Sequence, residues 1–489
     1  MATDSGPMAG PVPELADRAA ACADRLRDAD SVLLASHIDA DGLTSAAVAA
    51  TALERAGIPF DTVFEKQLDE AAIRSMAATG HGTILFTDFG SGQLDTIVEY
   101  DDFTPVIADH HQPADADTEF HCNPLLEGLN GASELSGAGA AYCLARALES
   151  GATDNRDLAA LAVVGAVGDM QAGVDGLTGA NEGIVAEGVA AGVLQEGTDL
   201  AMYGRQTRPL PKLLEYASDV QVPGISGDES GAVRFLSELD IDLRADGEEP
   251  RSSSGRLKAD DGEWKRWVDL TDDERRTVAS ALLKRAVASG VPADRVNDLI
   301  GTTYTLTDET EGTELRDVSE FSTLLNATAR YERADVGLAV CLGDRDAALS
   351  RARTLLRNHR KNLSAGLELV KSEGVQTEEH VQWFDAGTKI RETIVGIVAG
   401  MALGADGVDR DRPIVAFSAA GDDEVKVSAR GSHSLVRRGL DLSAVMREAA
   451  RSVGGDGGGH DVAAGATIPA SERDAFVAAV DDAVGTQLG

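Results

Sequence analysis

Four short polar motifs, each placed directly after an apolar run, constrain this chain more than any other feature. The stretch from Ser36 to Gly42, SHIDADG, follows Val32–Ala35, and Asp88 follows Thr83–Thr87. Asp109-His110-His111 follows Pro105–Ala108, and Asp169 closes the run Leu161–Val167. Each run has the length and composition of a buried β-strand. Such strands alternate with Ala-rich helical stretches, Gly42–Arg55, Ala138–Glu149 and Glu182–Leu194, a pattern that predicts a doubly wound parallel sheet of the α/β class. Residues just past the carboxyl ends of parallel strands share one rim of the sheet, where ligands bind. The four motifs are therefore expected to converge. One of them alone reads as a helix cap, as Asp41-Gly42 ahead of Leu43–Leu53 does. Four in order, each after a strand, read as a site.

Carboxylate oxygens and imidazole nitrogens suit hard or borderline divalent ions, manganese or magnesium, better than soft metals. The constellation resembles the DHH phosphoesterase superfamily, and within it the RecJ-like single-strand exonucleases of archaea. His37, Asp39, Asp41 and Gly42 match the first motif, Asp88 the second, Asp109-His110-His111 the third and Gly168-Asp169 the fourth. Far downstream, Gly457-Gly458-Gly459-His460 with Ala463-Ala464-Gly465, and the strand Val425–Ser432, are similar to the DHH-associated C-terminal domain.

The resemblance implies two divalent ions, manganese first and magnesium as the alternative. His37, Asp39 and Asp88 would hold one; Asp41, Asp88, His110 and Asp169 would hold the other, with Asp88 bridging. Asp109 and His111 would serve catalysis, the first by fixing a histidine tautomer, the second by donating to phosphoryl oxygens as charge develops. Arg430 and His460 would make charge-assisted contacts to a nucleotide phosphate or terminus. Beside them, the Gly457–Gly459 backbone carries no side chains and can approach an anion closely. By composition alone that glycine run is a flexible turn. The implied activity is manganese-dependent hydrolysis of single-stranded DNA or RNA from an end, in replication or repair. Two alternatives stand beside it: a phosphodiesterase of short oligonucleotides or cyclic dinucleotides, and a replisome scaffold that binds GINS-type proteins. A long middle block favours a polymer substrate, and the full set of ligand-type residues weighs against a scaffold alone.

The expected layout is a flexible tail over residues 1–19, a DHH catalytic domain over 20–202 and an insertion domain over 203–345. A connecting helix over 346–374 leads to a smaller C-terminal α/β nucleic-acid-binding domain over 375–489, across a cleft from the first. Within the insertion, Asp240–Asp261 reads as an exposed acidic loop. Thr271 to Glu274 reads as a capping box opening a helix through Ala288. Residues 316–321, with Asn326 and Arg330, resemble a recurring pattern near the insertion's end and are not assigned a catalytic part. Arg351, Arg353, Arg357, His359, Arg360 and Lys361 crowd the connecting helix, as a solvated face or as a phosphate track. His81, His121, His359, His380 and His433 lack ligand spacing and are expected in loops or polar helices, and Ser471 is expected to cap the last helix.

Acidity is the other bounding fact. Asp and Glu number 82 against 44 Lys and Arg, a net charge of −38 spread along the chain. Nucleases ordinarily gain affinity from basic surface, whereas distributed acidity resembles adaptation to a cytoplasm of molar salt. At about 1 M salt the Debye length falls to about 3 Å, and repulsion of a polyanion nearly vanishes. No apolar run is long enough to span a membrane and no signal segment is visible, so a cytosolic protein without a membrane partner is expected. Cys22, Cys122, Cys143 and Cys341 are scattered and read as buried apolar residues, neither disulfides nor zinc ligands.

Overall fold

The computed structural model describes residues 10–151, 153–217, 220–245, 264–405, 407–421 and 423–488, apart from the side chains of Asp294 and His433. Most of the expected acidic loop lies outside them. Residues up to 353 form one compact unit and those from 354 a second, and the helix Ala347–Glu373 runs through the division.

The first unit is built on five parallel strands: β1 (Val32–His37), β2 (Phe60–Glu65), β3 (Thr83–Thr87), β4 (Thr104–Ala108) and β5 (His121–Cys122). Their order is β2-β1-β3-β4-β5, and every pairing is parallel. This doubly wound order reverses between β1 and β3, which makes the ends of those two strands the expected ligand crevice. β3 is buried along its whole length and β1 up to Ser36, which is why both read as continuous apolar runs without alternation.

Alanine-rich helices cover the sheet. Ala40–Ala56 is capped by Asp39, whose side chain accepts from Gly42 N–H, and ends on Gly57 at φ 72. It packs on Gly137–Ala147 and Ala159–Gly168. Small side chains let these three helices approach closely. A second face of the sheet buries Phe86, Phe89 and Phe103 with Leu, Ile and Met side chains.

Two sequence expectations fail here. The Leu161–Val167 run is part of a helix, not a strand; a buried apolar run of this length carries no periodicity that separates the two. The segment assigned to a tail also packs earlier than expected: Val12 and Leu15 are buried, and a helix spans Ala16–Arg27.

In the middle of the chain, β6 (Leu194–Leu200) pairs antiparallel with β7 (Ile300–Leu306). A separate core gathers around Trp264, Trp267, Phe235 and Leu282. The capping box at Thr271 is present, with both reciprocal bonds, and its helix runs Asp272–Ala288. The second unit holds a six-stranded mixed sheet: β8 (Gln376–Thr377), β9 (Gln382–Asp385), β10 (Ile414–Ala419), β11 (Glu424–Arg430), β12 (Asp456–Gly459) and β13 (Ala463–Pro469), in the order β12-β13-β11-β10-β9-β8. Ser471 lies in a short 3-10 turn that leads into the last helix, Arg473–Leu488, and does not cap it. The four cysteines are buried and free.

Candidate metal centre

Each ligand-type residue owes its place to a strand or helix end. His37 is the last residue of β1, and Asp39 and Asp41 open the helix that follows. Asp88 comes directly after β3 with φ 60, a left-handed conformation uncommon outside glycine but tolerated by Asp and Asn. Its N–H bonds Ala108 O at 3.0 Å, which ties it to β4. His110 follows β4, and Asp169 caps the Ala159–Gly168 helix.

These ends meet. Ligand-type atoms of His37, Asp39 and Asp88 lie within 4.8 Å of one another, as do those of Asp41, His110 and Asp169. Asp88 joins the two groups: its carboxylate stands 3.5 Å from His37 Nδ1 and 3.3 Å from His110 Nε2. These are the residues that the family resemblance implies as ligands, with Asp88 bridging.

Backbone dipoles and neighbouring side chains hold the set in place. Asp41 is buried, and its carboxylate accepts from Gly137 N–H (2.7 Å) and Ala138 N–H (3.0 Å) at the N-terminus of a helix. His110 Nδ1 lies 2.7 Å from Gly131 O, so this nitrogen carries the proton and leaves Nε2 as the ligand atom. Gln171 Nε2 donates to the Asp169 carboxylate and to Gly131 O, both at 2.9 Å, and its Oε1 accepts from Asn181. Asn326 Oδ1 accepts from Ala40 N–H at 3.2 Å and steadies the turn that bears Asp39 and Asp41.

The crowding of carboxylates shows in their acidities. Burial, with the charges of Asp88 and Asp169, raises Asp41 well above the usual carboxylate range. Burial pushes Asp169 up to about 6, with Asp88 adding. Burial would raise Asp88 too, but hydrogen bonds from His110 and His37 outweigh it and hold this carboxyl low. Burial opposes the charging of His37 and His110, yet their carboxylate partners push both up to about 11. The pocket demands positive charge. Four carboxylates and two imidazoles therefore fit a pair of divalent cations, which would replace those protons.

Asp109 and His111 stand beside the cluster. Asp109 is fully buried; its Oδ1 accepts from His111 Nδ1 (2.8 Å) and from two backbone N–H groups, and its Oδ2 accepts from Ser91 N–H. Burial works against its charge, and the His111 bond nevertheless brings it down to about 2. His111 is 56% exposed, with Nε2 as the nitrogen available to a ligand. The histidine whose tautomer Asp109 fixes is thus His111. Behind them, Asn123 Nδ2 donates to His111 O and to Ser91 Oγ, and Ser91 Oγ contacts His121 Nε2 at 2.8 Å. His121 lies in β5 and is buried, not in a loop, and burial pushes it down to about 4.

Sequence reasoning missed the supports: Ser91, Asn123, Gly131, Gly165, Gln171 and the part played by Asn326. A glycine inside an otherwise apolar run is the visible signal for Gly165. A methyl there would lie 2.5 Å from Asp41 Oδ1, and one on Gly137 would lie 2.6 Å from Asp88 Oδ1.

The proposed substrate contacts lie in the second unit. The glycine run is neither a loop nor a turn: Gly457, Gly458 and Gly459 form the edge strand β12, paired antiparallel with β13. Close backbone packing explains two of them, since a methyl on Gly457 would meet Met446 O at 2.7 Å and one on Gly459 would meet Ala464 Cα at 2.6 Å. Gly458 faces open space. His460 is exposed, and its N–H bonds Ala463 O. Arg430 pairs in register with Ala463, so Arg430, Gly459 and His460 gather at one end of the sheet. The Arg430 guanidinium lies against Gly396, where a methyl would come within 2.5 Å of it.

Sheet, donor set and family matches together define a class, the metal-dependent phosphoesterases. Residues 31–166 match the DHH family N-terminal domain, 202–300 the DHH-CID domain and 380–486 the DHHA1 domain. The chain carries domains of the DHH superfamily, an N-terminal DHH and a C-terminal DHHA1 domain, and is similar in fold to RecJ. An uncharacterized protein of Methanocaldococcus jannaschii is 28% identical over 461 residues, 93% of either chain. RecJ from Thermus thermophilus, solved with Mn2+, is similar in fold at TM-score 0.59 and 18% identity; the match covers 99% of this chain but only 56% of that one. CDC45 from Entamoeba histolytica gives TM-score 0.62 at 10% identity, covering 95% of this chain and 97% of that one. Among the described residues no helix is long and apolar enough to cross a membrane.

Proposed function

We propose that this chain is a manganese-dependent exonuclease, removing nucleotides from an end of single-stranded DNA or RNA in replication or repair. The observation that carries the reading is the shared position of Asp88 between two donor groups. His37, Asp39 and Asp88 would hold one ion and Asp41, Asp88, His110 and Asp169 the other, and the imidazoles favour manganese over magnesium. When bound, such a pair supplies a reactive water near neutral pH and offsets charge on the phosphoryl oxygens. The chain's own residues do the rest. The helix N-terminus at Gly137 fixes Asp41, and Gly131 O orients His110. The hydrogen bond to Asp109 raises the His111 pKa and orients its ring, which favours donation to a phosphoryl oxygen where negative charge grows. Arg430, Gly457–Gly459 and His460 serve the nucleotide strand.

Likeness in fold to CDC45 supports a second role as a partner-binding scaffold for GINS-type proteins, which does not compete with hydrolysis. The deciding experiment is digestion of end-labelled single strands and of dinucleotides with manganese or magnesium in molar potassium chloride. Asp88→Asn is the control, because Asn tolerates the left-handed backbone and keeps the fold. Its activity should fall by more than about a hundredfold, beyond the usual cost of losing a supporting side chain of a metal site. Retained activity in that variant would sink the two-ion site, and cleavage of dinucleotides alone would replace the polymer substrate by short oligonucleotides.

A further inference from the structure

The Ala159–Gly168 helix ends in a way its side chains do not favour. Asp169 occupies the cap, and Met170 then takes φ 62, the left-handed conformation in which helices ordinarily place glycine. The backbone there is firmly held: Asp169 N–H bonds Gly165 O at 2.8 Å, Met170 N–H bonds Val167 O at 3.1 Å and Gln171 N–H bonds Ala166 O at 3.0 Å. Side chains pin both flanks, since Gln171 bonds Asp169, Gly131 and Asn181. A β-carbon in this geometry is strained. Met170 adds a second cost, because its apolar side chain is 89% exposed. Burial offsets neither. Strained residues of this kind persist where a site needs them.

The site is one residue away. The Asp169 carboxylate belongs to the cluster with Asp41 and His110, and the Met170 side chain departs from a Cα about 3.8 Å further along the chain. We propose that Met170 is a positioning residue that lies against the nucleobase or sugar of the nucleotide whose phosphate enters this cluster. The inference rests on the phosphodiesterase reading above and assigns the base-facing part of the substrate. Methionine suits it: a flexible, polarizable thioether makes favourable contact with any aromatic face without demanding one shape. An enzyme advancing along mixed sequence needs that tolerance.

Binding without turnover isolates the contact. Full-length wild type, Met170→Gly and Met170→Leu are titrated, with calcium in place of manganese, with a fluorescently labelled dinucleotide and with its abasic counterpart. The wild type should bind the base-bearing ligand about three- to tenfold more tightly than the abasic one, the span of sulfur–aromatic contacts. Met170→Gly should lose that ratio, and Met170→Leu, which lacks the sulfur, should lose most of it. The glycine variant should melt at the same temperature or higher, because its backbone strain is relieved. A wild type without base preference, or a glycine variant that keeps it, overturns the proposal and leaves Met170 a helix terminus only. Hydrolysis of the same dinucleotide with manganese is scored separately. Base-dependent binding through Met170 without any hydrolysis would overturn the exonuclease reading and leave the contact standing, and no binding of either ligand would overturn both.

Discussion

At the scale of single residues, glycine matters as much as aspartate. Gly137 begins the helix whose N–H groups hold Asp41, and its missing methyl is what gives Asp88 room. Gly137→Ala should therefore fold while displacing the Asp88 carboxylate, and a shift near 1 Å at reacting groups costs about a hundredfold in rate. Steady-state kinetics with manganese, beside a melting curve, checks this; a rate near wild type would mean that Asp88 has slack. The carboxylates and histidines were legible because they sit in motifs behind apolar runs. Gly137 reads in the sequence only as a small residue open to two explanations, and Asn326, 286 positions from the Ala40 it bonds, offers no local signal at all. Supports of a site are chosen by fit in three dimensions, which spacing along a chain does not encode.

Among the elements, the helix Val318–Ala329 shows how a charge is buried inside a scaffold. Its cap, Asp317, pairs with Arg205, and Glu320 is fully buried, accepting from Gln206 N–H and from Thr207. Burial, with the Asp317 charge, pushes Glu320 up to about 7 from 4.5. Between those values the folded chain binds a proton that the unfolded chain has released, so this group makes stability fall as pH rises from 4.5 to 7 and level off above. Glu320→Gln should flatten that slope and be the more stable protein above pH 7, by about 1–3 kcal/mol. Denaturant titrations across this range test it, and parallel curves for the two proteins would refute it. Elements were legible to different degrees. The capping box at Thr271 follows from local chemistry alone. Leu161–Val167 reads as a strand because a buried run lacks periodicity. The glycines of β12 read as a loop because their partners, Met446 and Ala464, are visible only after folding.

For the whole molecule, 82 acidic side chains stand against 44 basic ones. Unscreened, that excess opposes both folding and the approach of a polyanion. Between about 0.1 M and 3 M salt the Debye length shrinks from roughly 10 to 2 Å. Activity on single strands should therefore rise with potassium chloride into the molar range, against the slope set by counterion release, while blunt duplex is cut far more slowly throughout. A steady decline with salt would place the basic contacts, and not the acidity, in control. The bond from Asn326 to Ala40 has a consequence for biosynthesis. Ribosomes add roughly 5–20 residues per second, so the turn bearing Asp39 and Asp41 leaves the tunnel roughly 15–60 s before the amide that steadies it. Through that interval the nascent chain exposes a cluster of acidic oxygens whose bracing is incomplete, and a cation captured then would be held by a half-braced turn.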